Sequence, residues 1–311
     1  MVATDTTTPA SPLPPVAVPP WQRWLVYSPL ARIVIFALVA YVLTMAMRYL
    51  GPVIGVPIGE KVAFDKVSPL LQAMRLLPVV LSYWLLVRFI ERRRVDELAA
   101  RKLVPHVIAG LVGGVLLFSL IVGLLWAFGC YHVDGVNQNV SWLGPILVLG
   151  LGAGIGEEIV CRGVLFRIVE EGMGTWFALG LSALVFGAGH IGNPNATAWS
   201  ALSIAIEAGL LFGLIFHVTR SLWLCMSLHA AWNVMQGPVY GIPVSGFDQH
   251  GWLASHMTGP DWLTGGSFGA EASVVALTTC SIVTVIFLVI ALRRGSIVPP
   301  FWARRKPSVI P

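Results

Sequence analysis

Residues 143–169 read LGPILVLGLGAGIGEEIVCRGVLFRIV, an apolar run interrupted near its middle by Glu157, Glu158 and Arg162. About 20 apolar residues suffice for a helix to cross the ~30 Å hydrocarbon core of a bilayer, so the run is a membrane helix by length. Its charges stand where charge is most costly, at about 2.5–3.5 kcal/mol each on insertion scales. Such a cluster requires mutual pairing, a water-filled cavity or a chemical task. At 3.6 residues per turn, Glu158 and Arg162 lie four apart and can pair, whereas Glu157 is rotated about 100° from Glu158. One carboxylate is then neutralised and the other stays free. A free carboxylate in apolar surroundings suits general-base work on water. A purely structural ion-pair cluster, or half of a proton relay, would give the same local pattern.

The rest of the chain extends this reading. Of 311 residues, 56% are hydrophobic and only 11% charged, against roughly 25% charged in soluble domains. Mean hydropathy is +0.79. The fold class expected is all-α, a polytopic transmembrane helical bundle. A net charge of +5 would suggest nucleic acid in a soluble protein. Here the basic residues sit in short segments between apolar runs, where Lys and Arg set orientation, so no nucleic-acid partner is expected. Cys130, Cys161, Cys225 and Cys280 are too dispersed for a disulfide framework or a zinc knuckle. Cys161 stands four residues after Glu157 and is read as a small apolar packing residue, because a reactive thiol needs an electropositive, partly exposed setting.

Windows of about 20 apolar residues predict eight spans, near 30–49, 68–90, 105–128, 142–169, 175–192, 197–218, 221–236 and 272–292. Residues 1–22, rich in Pro, Ala and Thr, are expected to be a disordered cytoplasmic tail. Residues 23–140 carry the N-terminal transmembrane helices, 141–236 a catalytic helical core, 237–271 an extracytoplasmic loop, and 272–311 the last span with a basic cytoplasmic tail. Arg88, Arg92, Arg93, Arg94, Arg101 and Lys102 flank the second connection, and Arg293, Arg294, Arg304, Arg305 and Lys306 follow the last span, which sets both ends in the cytoplasm of a plasma or inner membrane. Connections 129–141, 193–196 and 237–271 lack Lys and Arg and fall outside. The connection with Arg48, Lys61 and Lys66 departs from the pattern, although Glu60 and Asp65 adjoin those lysines. Segment 237–271, interrupted by Asp248, His250, His256 and Asp261, reads as a surface loop folded onto the helix ends with interfacial tryptophans, in preference to a lid.

Two further clusters bear on Glu157. Phe186-Gly187-Ala188-Gly189-His190 puts an imidazole near the end of the fifth span, and Ser227-Leu228-His229-Ala230-Ala231-Trp232-Asn233 sets His229 and Asn233 on one face of the seventh. A lone membrane histidine is more often an interhelical hydrogen bond than a catalyst. Together the groups have defined roles. Glu157 with His190 can hold and deprotonate water, while His229 and Asn233 donate to an oxyanion. Glu207, a carboxylate in the sixth span, is expected either to line a cavity or to pair with His217 or Arg220. Counting 1.5 Å per residue puts Glu157 about 21 Å below the start of its span, which suggests access from the cytoplasm or laterally from lipid.

Glu157-Glu158-x-x-x-Arg162, Phe186-x-x-x-His190 and His229-x-x-x-Asn233, in that order, resemble the three motifs of the CPBP family of intramembrane proteases, which includes type II CAAX prenyl endopeptidases and Abi-type immunity proteins. Gly209-x-x-x-Gly213 and Thr219-Arg220-Ser221-Leu222-Trp223 resemble the family's preceding helix and turn, with Arg220 in place of the usual glycine. The resemblance covers residues 143–234. It implies an endopeptidase acting on a membrane-associated peptide or protein within the lipid bilayer. Glu157 and His190 would activate water, His229 and Asn233 would form the oxyanion site, and Glu158 and Arg162 would position them. Zinc held by Glu157, His190 and His229 would be a three-ligand site with one open position. The sequence lacks the helical His-Glu-x-x-His spacing, and metal-independent chemistry without a cofactor is preferred. The same residues leave open a non-catalytic immunity or partner-binding protein and a proton-coupled transporter; no inverted repeat supports the latter.

Overall fold

The computed structural model describes residues 19–304. Eight apolar helices build the molecule: α1 (Pro29–Val53), α2 (Pro69–Ile90), α3 (Ala100–Ala127), α4 (Leu143–Met173), α5 (Thr175–Gly189), α6 (Ala198–Thr219), α7 (Leu222–Val234) and α8 (Val274–Arg293). The all-α polytopic bundle read from composition is the observed class. Ser28, Ser68, Ser221 and Ser273 each accept a backbone N–H of the first turn that follows, which explains why α1, α2, α7 and α8 start where they do. A short helix, Pro20–Leu25, precedes α1, so residues 20–22 are not part of a tail. The rest of the tail expected over 1–22, and Arg305 and Lys306 of the basic C-terminal tail, lie outside the described residues.

Among the described residues, six helices are long and apolar enough to cross a membrane. α5, with 15 residues, is too short, and α7, continued by the π-helical turn Met235–Val239, is interrupted by His229, Asn233 and Gln236, which corrects the spans expected at 175–192 and 221–236. Neither needs to face lipid along a full span. α7 is enclosed by α3, α4 and α6, with Leu222, Cys225, Met226, Ser227, Leu228, His229, Ala231, Trp232 and Asn233 buried, so protein rather than lipid surrounds its backbone. α5 stops at His190, where the chain enters a turn closed by the Asn193 N–H donating to the His190 carbonyl. The layering follows burial: 67% of the α6 span is buried inside the bundle against 11% of α1, whose Leu30, Leu38, Tyr41 and Val42 face outward as lipid-facing residues do.

Small residues set the inner contacts. A Cβ added at Gly114 of α3 would lie 2.5 Å from the Leu228 carbonyl oxygen of α7. At Gly209 of α6 it would lie 2.7 Å from Cα of Ala183 in α5. Both helix pairs therefore pack backbone against backbone, as small-xxx-small stripes do in membranes.

Connections 129–141 and 237–271 are not free loops. They contribute the strands β1 (Tyr131–Val136) and β2 (Leu253–Met257), an antiparallel ribbon with Tyr131 opposite Met257 and an irregularity between Val133 and Gly135. Tyr131 Oη and Ser255 Oγ both donate to the Tyr240 carbonyl, at 2.8 and 2.6 Å, and Asn137 Nδ2 donates to that of Gly251 at 2.7 Å. The turn at 244–247 docks on the α5–α6 connection, where Asn193 Nδ2 donates to the Ser245 carbonyl at 3.1 Å. Gly246, at φ 85°, has room for no side chain, since a Cβ would meet the Pro194 carbonyl oxygen at 1.7 Å.

The opposite end of the bundle is ionic. Arg32 bridges Glu91 and Glu171, Arg93 bridges Glu91 and Glu97, Arg167 reaches Glu91, and Glu170 binds His217 and Arg220.

Candidate active site

α4 is not a uniform helix. It widens into π-helical turns at Ile146–Ala153 and Ile159–Phe166, on either side of the regular turn Gly154–Glu158 that carries both carboxylates. Such widened turns gather at functional sites in helices. Glu158 and Arg162 keep the four-residue spacing, and Nη1 of Arg162 donates to Oε1 of Glu158 at 2.9 Å, both side chains being almost wholly buried. Arg162 is held three further ways. Its Nη2 donates to the Ala208 carbonyl at 2.8 Å, and its guanidinium carbon lies 4.6 Å from the Phe186 ring centroid and 5.2 Å from that of Phe212. One ion pair thus ties α4 to α5 and α6.

The same Oε1 of Glu158 faces Nδ1 of His229 at 3.0 Å. A carboxylate accepts, so Nδ1 carries the proton and Nε2 is turned toward the cavity. Asn233, one turn on, donates from Nδ2 to the Leu149 carbonyl at 2.8 Å, which anchors α7 to the widened part of α4 and leaves the amide its second N–H.

His190 follows the same logic. Its Nδ1 lies 2.8 Å from the Phe186 carbonyl, which can only accept, so the neutral ring has its lone pair on Nε2. That atom faces Oε2 of Glu157 across 3.9 Å. The gap is too long for a direct hydrogen bond and short enough for one water to touch both. The Glu157 side chain is 39% exposed and that of Glu158 is 0% exposed. The Glu157 oxygen that faces His190, Oε2, is itself buried and has no direct hydrogen-bond partner.

His190, His229 and Asn233 line one cavity together with Phe186, Phe212 and Trp232. Its volume of about 30 Å³ exceeds the roughly 10–15 Å³ that one water needs. Glu207 also lines it, as one of its two expected positions required. The pairing alternative does not hold, because His217 and Arg220 both bind Glu170 instead. Ser245 and Glu271 complete the wall from segment 237–271, so that segment roofs the site and is more than a surface loop. None of Asp248, His250, His256 or Asp261 takes part in the lining. Glu271 was findable as a carboxylate in Ala270-Glu271-Ala272, just before an apolar span; Ser245 left no signal beyond its turn-rich neighbourhood. The roof lies at the end of the bundle opposite the ionic cluster.

Glu157, His190 and His229 do not gather as metal ligands; among the described residues no group of three His, Cys, Asp or Glu side chains is placed to hold an ion. Nδ1 of His229 is already engaged by Glu158. No step is therefore routed through a metal.

Carboxylate, imidazole and amide groups so placed are able to activate water and to stabilise an oxyanion. Residues 137–235 match the Rce1-like family model, type II CAAX prenyl endopeptidase Rce1-like. The match covers about a third of the chain, the segment that carries Glu157, His190, His229 and Asn233. Comparison with curated proteins finds no match.

Proposed function

We propose that the protein hydrolyses a peptide bond of a membrane-associated substrate with water activated by Glu157 and His190. The observation that carries the reading is the approach of Glu157 Oε2 to His190 Nε2, 3.9 Å apart, beside a cavity walled by His229 and Asn233. Water seated between the two gives up a proton to Glu157 as its oxygen adds to the scissile carbonyl. The resulting oxyanion accepts from Asn233 and from Nε2 of His229. Since Nδ1 of His229 is already protonated against Glu158, donation from Nε2 requires the imidazolium, with Glu158 as its counter-ion. Collapse of the tetrahedral intermediate breaks the C–N bond, and the proton held by Glu157 passes to the leaving amine. Glu158 and Arg162 act through His229 as positioning residues.

Orientation follows from charge. Arg92, Arg93, Arg94, Arg101, Lys102, Arg220, Arg293, Arg294 and Arg304 lie toward the ionic end, whereas the roofed end has fewer basic residues, Arg48, Lys61, Lys66 and Arg75, with Glu60 and Asp65 beside the lysines. By the positive-inside rule, both ends of the described chain are cytoplasmic and the cavity lies in the extracytoplasmic half. Substrates are then exported or bilayer-embedded chains.

The test is to reconstitute the purified protein with a membrane proteome and map new N-termini for wild type, Glu157→Ala and His190→Ala, with and without chelator. Products that vanish in both variants and persist with chelator support the reading. Products unchanged in both would refute it, and products lost only to chelation would replace it with a metal mechanism.

A further inference from the structure

Glu207 and Glu271 have no part in the hydrolysis just described, yet both are set into the wall of the same cavity. They come from unrelated places, one from the π-helical stretch Ala205–Leu210 within α6 and the other from the turn Ala270–Ala272 before α8. They are 2% and 4% exposed. Each has a buried oxygen with no hydrogen-bond partner, Oε2 of Glu207 and Oε1 of Glu271, as Glu157 and Glu158 also have, while the Glu271 carboxyl also stands against Ser245, Gln236 and His190. Most other buried carboxylates of the chain are answered: Glu91, Glu97, Glu158 and Glu170 all have basic partners. Neither Glu207 nor Glu271 has a cation within salt-bridge distance among the described residues; an ionised carboxylate so placed costs several kcal/mol, and two facing one cavity repel each other.

We propose that Glu207 and Glu271 form a recognition site for a primary ammonium group carried by the substrate chain. An ammonium has three N–H donors for the open carboxylate oxygens. Its size is close to that of water, which suits a cavity of about 30 Å³; a guanidinium is larger and planar. The group has two sources, a lysine side chain near the scissile bond or the α-amine released by hydrolysis, since the site and His190 share one cavity. The assignment rests on the hydrolytic reading for its substrate but not for its binding chemistry.

The experiment separates the two. Glu157→Ala protein, which cannot turn over, is titrated with n-butylammonium while its thermal midpoint is followed, with n-butanol as the uncharged control. A saturable rise with the amine alone is expected, with Kd at least tenfold weaker in Glu207→Gln or Glu271→Gln and largely kept in Glu271→Asp. The Gln variants should have midpoints no lower than the parent without ligand, because the amide removes an unanswered charge. A response no larger than that to n-butanol, or Gln variants that respond like the parent, overturns the site and leaves a proton-sharing carboxyl pair. On substrates found by N-terminal mapping, a tenfold rise in KM when lysine is replaced by norleucine identifies the side chain as the source. Competitive inhibition by the amine product, absent once that product is N-acetylated, identifies the released α-amine. Failure of both overturns the substrate role even where n-butylammonium binds.

Discussion

Arg220 ends α6 in the left-handed region, at φ 48° and ψ 46°. Glycine adopts that conformation freely, while an L side chain pays roughly 1–2 kcal/mol for it. The strain is offset because Arg220 binds Glu170 and its carbonyl accepts from Lys102 Nζ at 2.8 Å. Arg220→Ala loses the ion pair and keeps the strain, whereas Arg220→Gly loses the pair and relieves it. The glycine variant should be the more stable of the two by about 1 kcal/mol, read from thermal midpoints in detergent. Glu158→Gln leaves the Arg162 charge buried with no counter-ion and should cost about 3–5 kcal/mol of stability, well beyond any effect of Cys161→Ala on activity. Cys161 is 6% exposed and packs near Phe186 and Ile204, so its alanine variant should retain activity within about twofold, the volume lost being small. The pairing of Glu158 with Arg162 was legible because one helical turn fixes it. The engagement of Asn233 with Leu149 was not, since it depends on how α7 packs against the widened part of α4.

At the scale of elements, periodicity and small residues carried most of the information. Gly209 and Gly213 form the face of α6 that meets α5 near Ala183 and Leu179. Gly110 and Gly114 do the same for α3, and Gly114→Val should abolish accumulation of folded protein, because the added atoms meet the α7 backbone rather than a side chain that can move. Membrane extraction followed by size-exclusion chromatography reads the outcome. The ribbon was hidden for a physical reason. Tyr131–Val136 contains His, Asp and Gly, Leu253–Met257 lacks β-branched residues, and the two meet only because the bundle brings distant connections to one end. The shortness of α5 and the enclosure of α7 were hidden as well, since hydropathy windows cannot tell helices buried among other helices from helices that face lipid.

The whole molecule has two unlike ends, and acid should act on one of them first. Burial works against the charge of Glu97, but hydrogen bonds and attraction from Arg93, together with Arg167, outweigh it and hold the carboxyl down at about 2. The Glu91 carboxyl is held low in the same way by Arg167 and Arg93 against its burial. A carboxyl depressed in the folded state stabilises fully above its unfolded value near 4.5, and that contribution is lost as pH falls toward 2. For Glu97 it amounts to about 3 kcal/mol. The thermal midpoint should fall steadily between pH 4.5 and 2, and Glu97→Gln should flatten the profile in that range while lowering the midpoint at pH 7.

The stitched roof of the cavity has a kinetic consequence. Its backbone is tied to α3 and α7 through the ribbon and Tyr240, whose Oη donates to Ser119 Oγ at 2.9 Å. Amides of 131–136 and 253–257 should therefore exchange with deuterated water as slowly as those of α7, although they lie at a membrane surface where connections usually exchange within seconds. A cover that does not breathe leaves the flanks of the bundle as the route for traffic, so turnover should respond to the thickness and fluidity of the surrounding lipid more than to the viscosity of the aqueous phase.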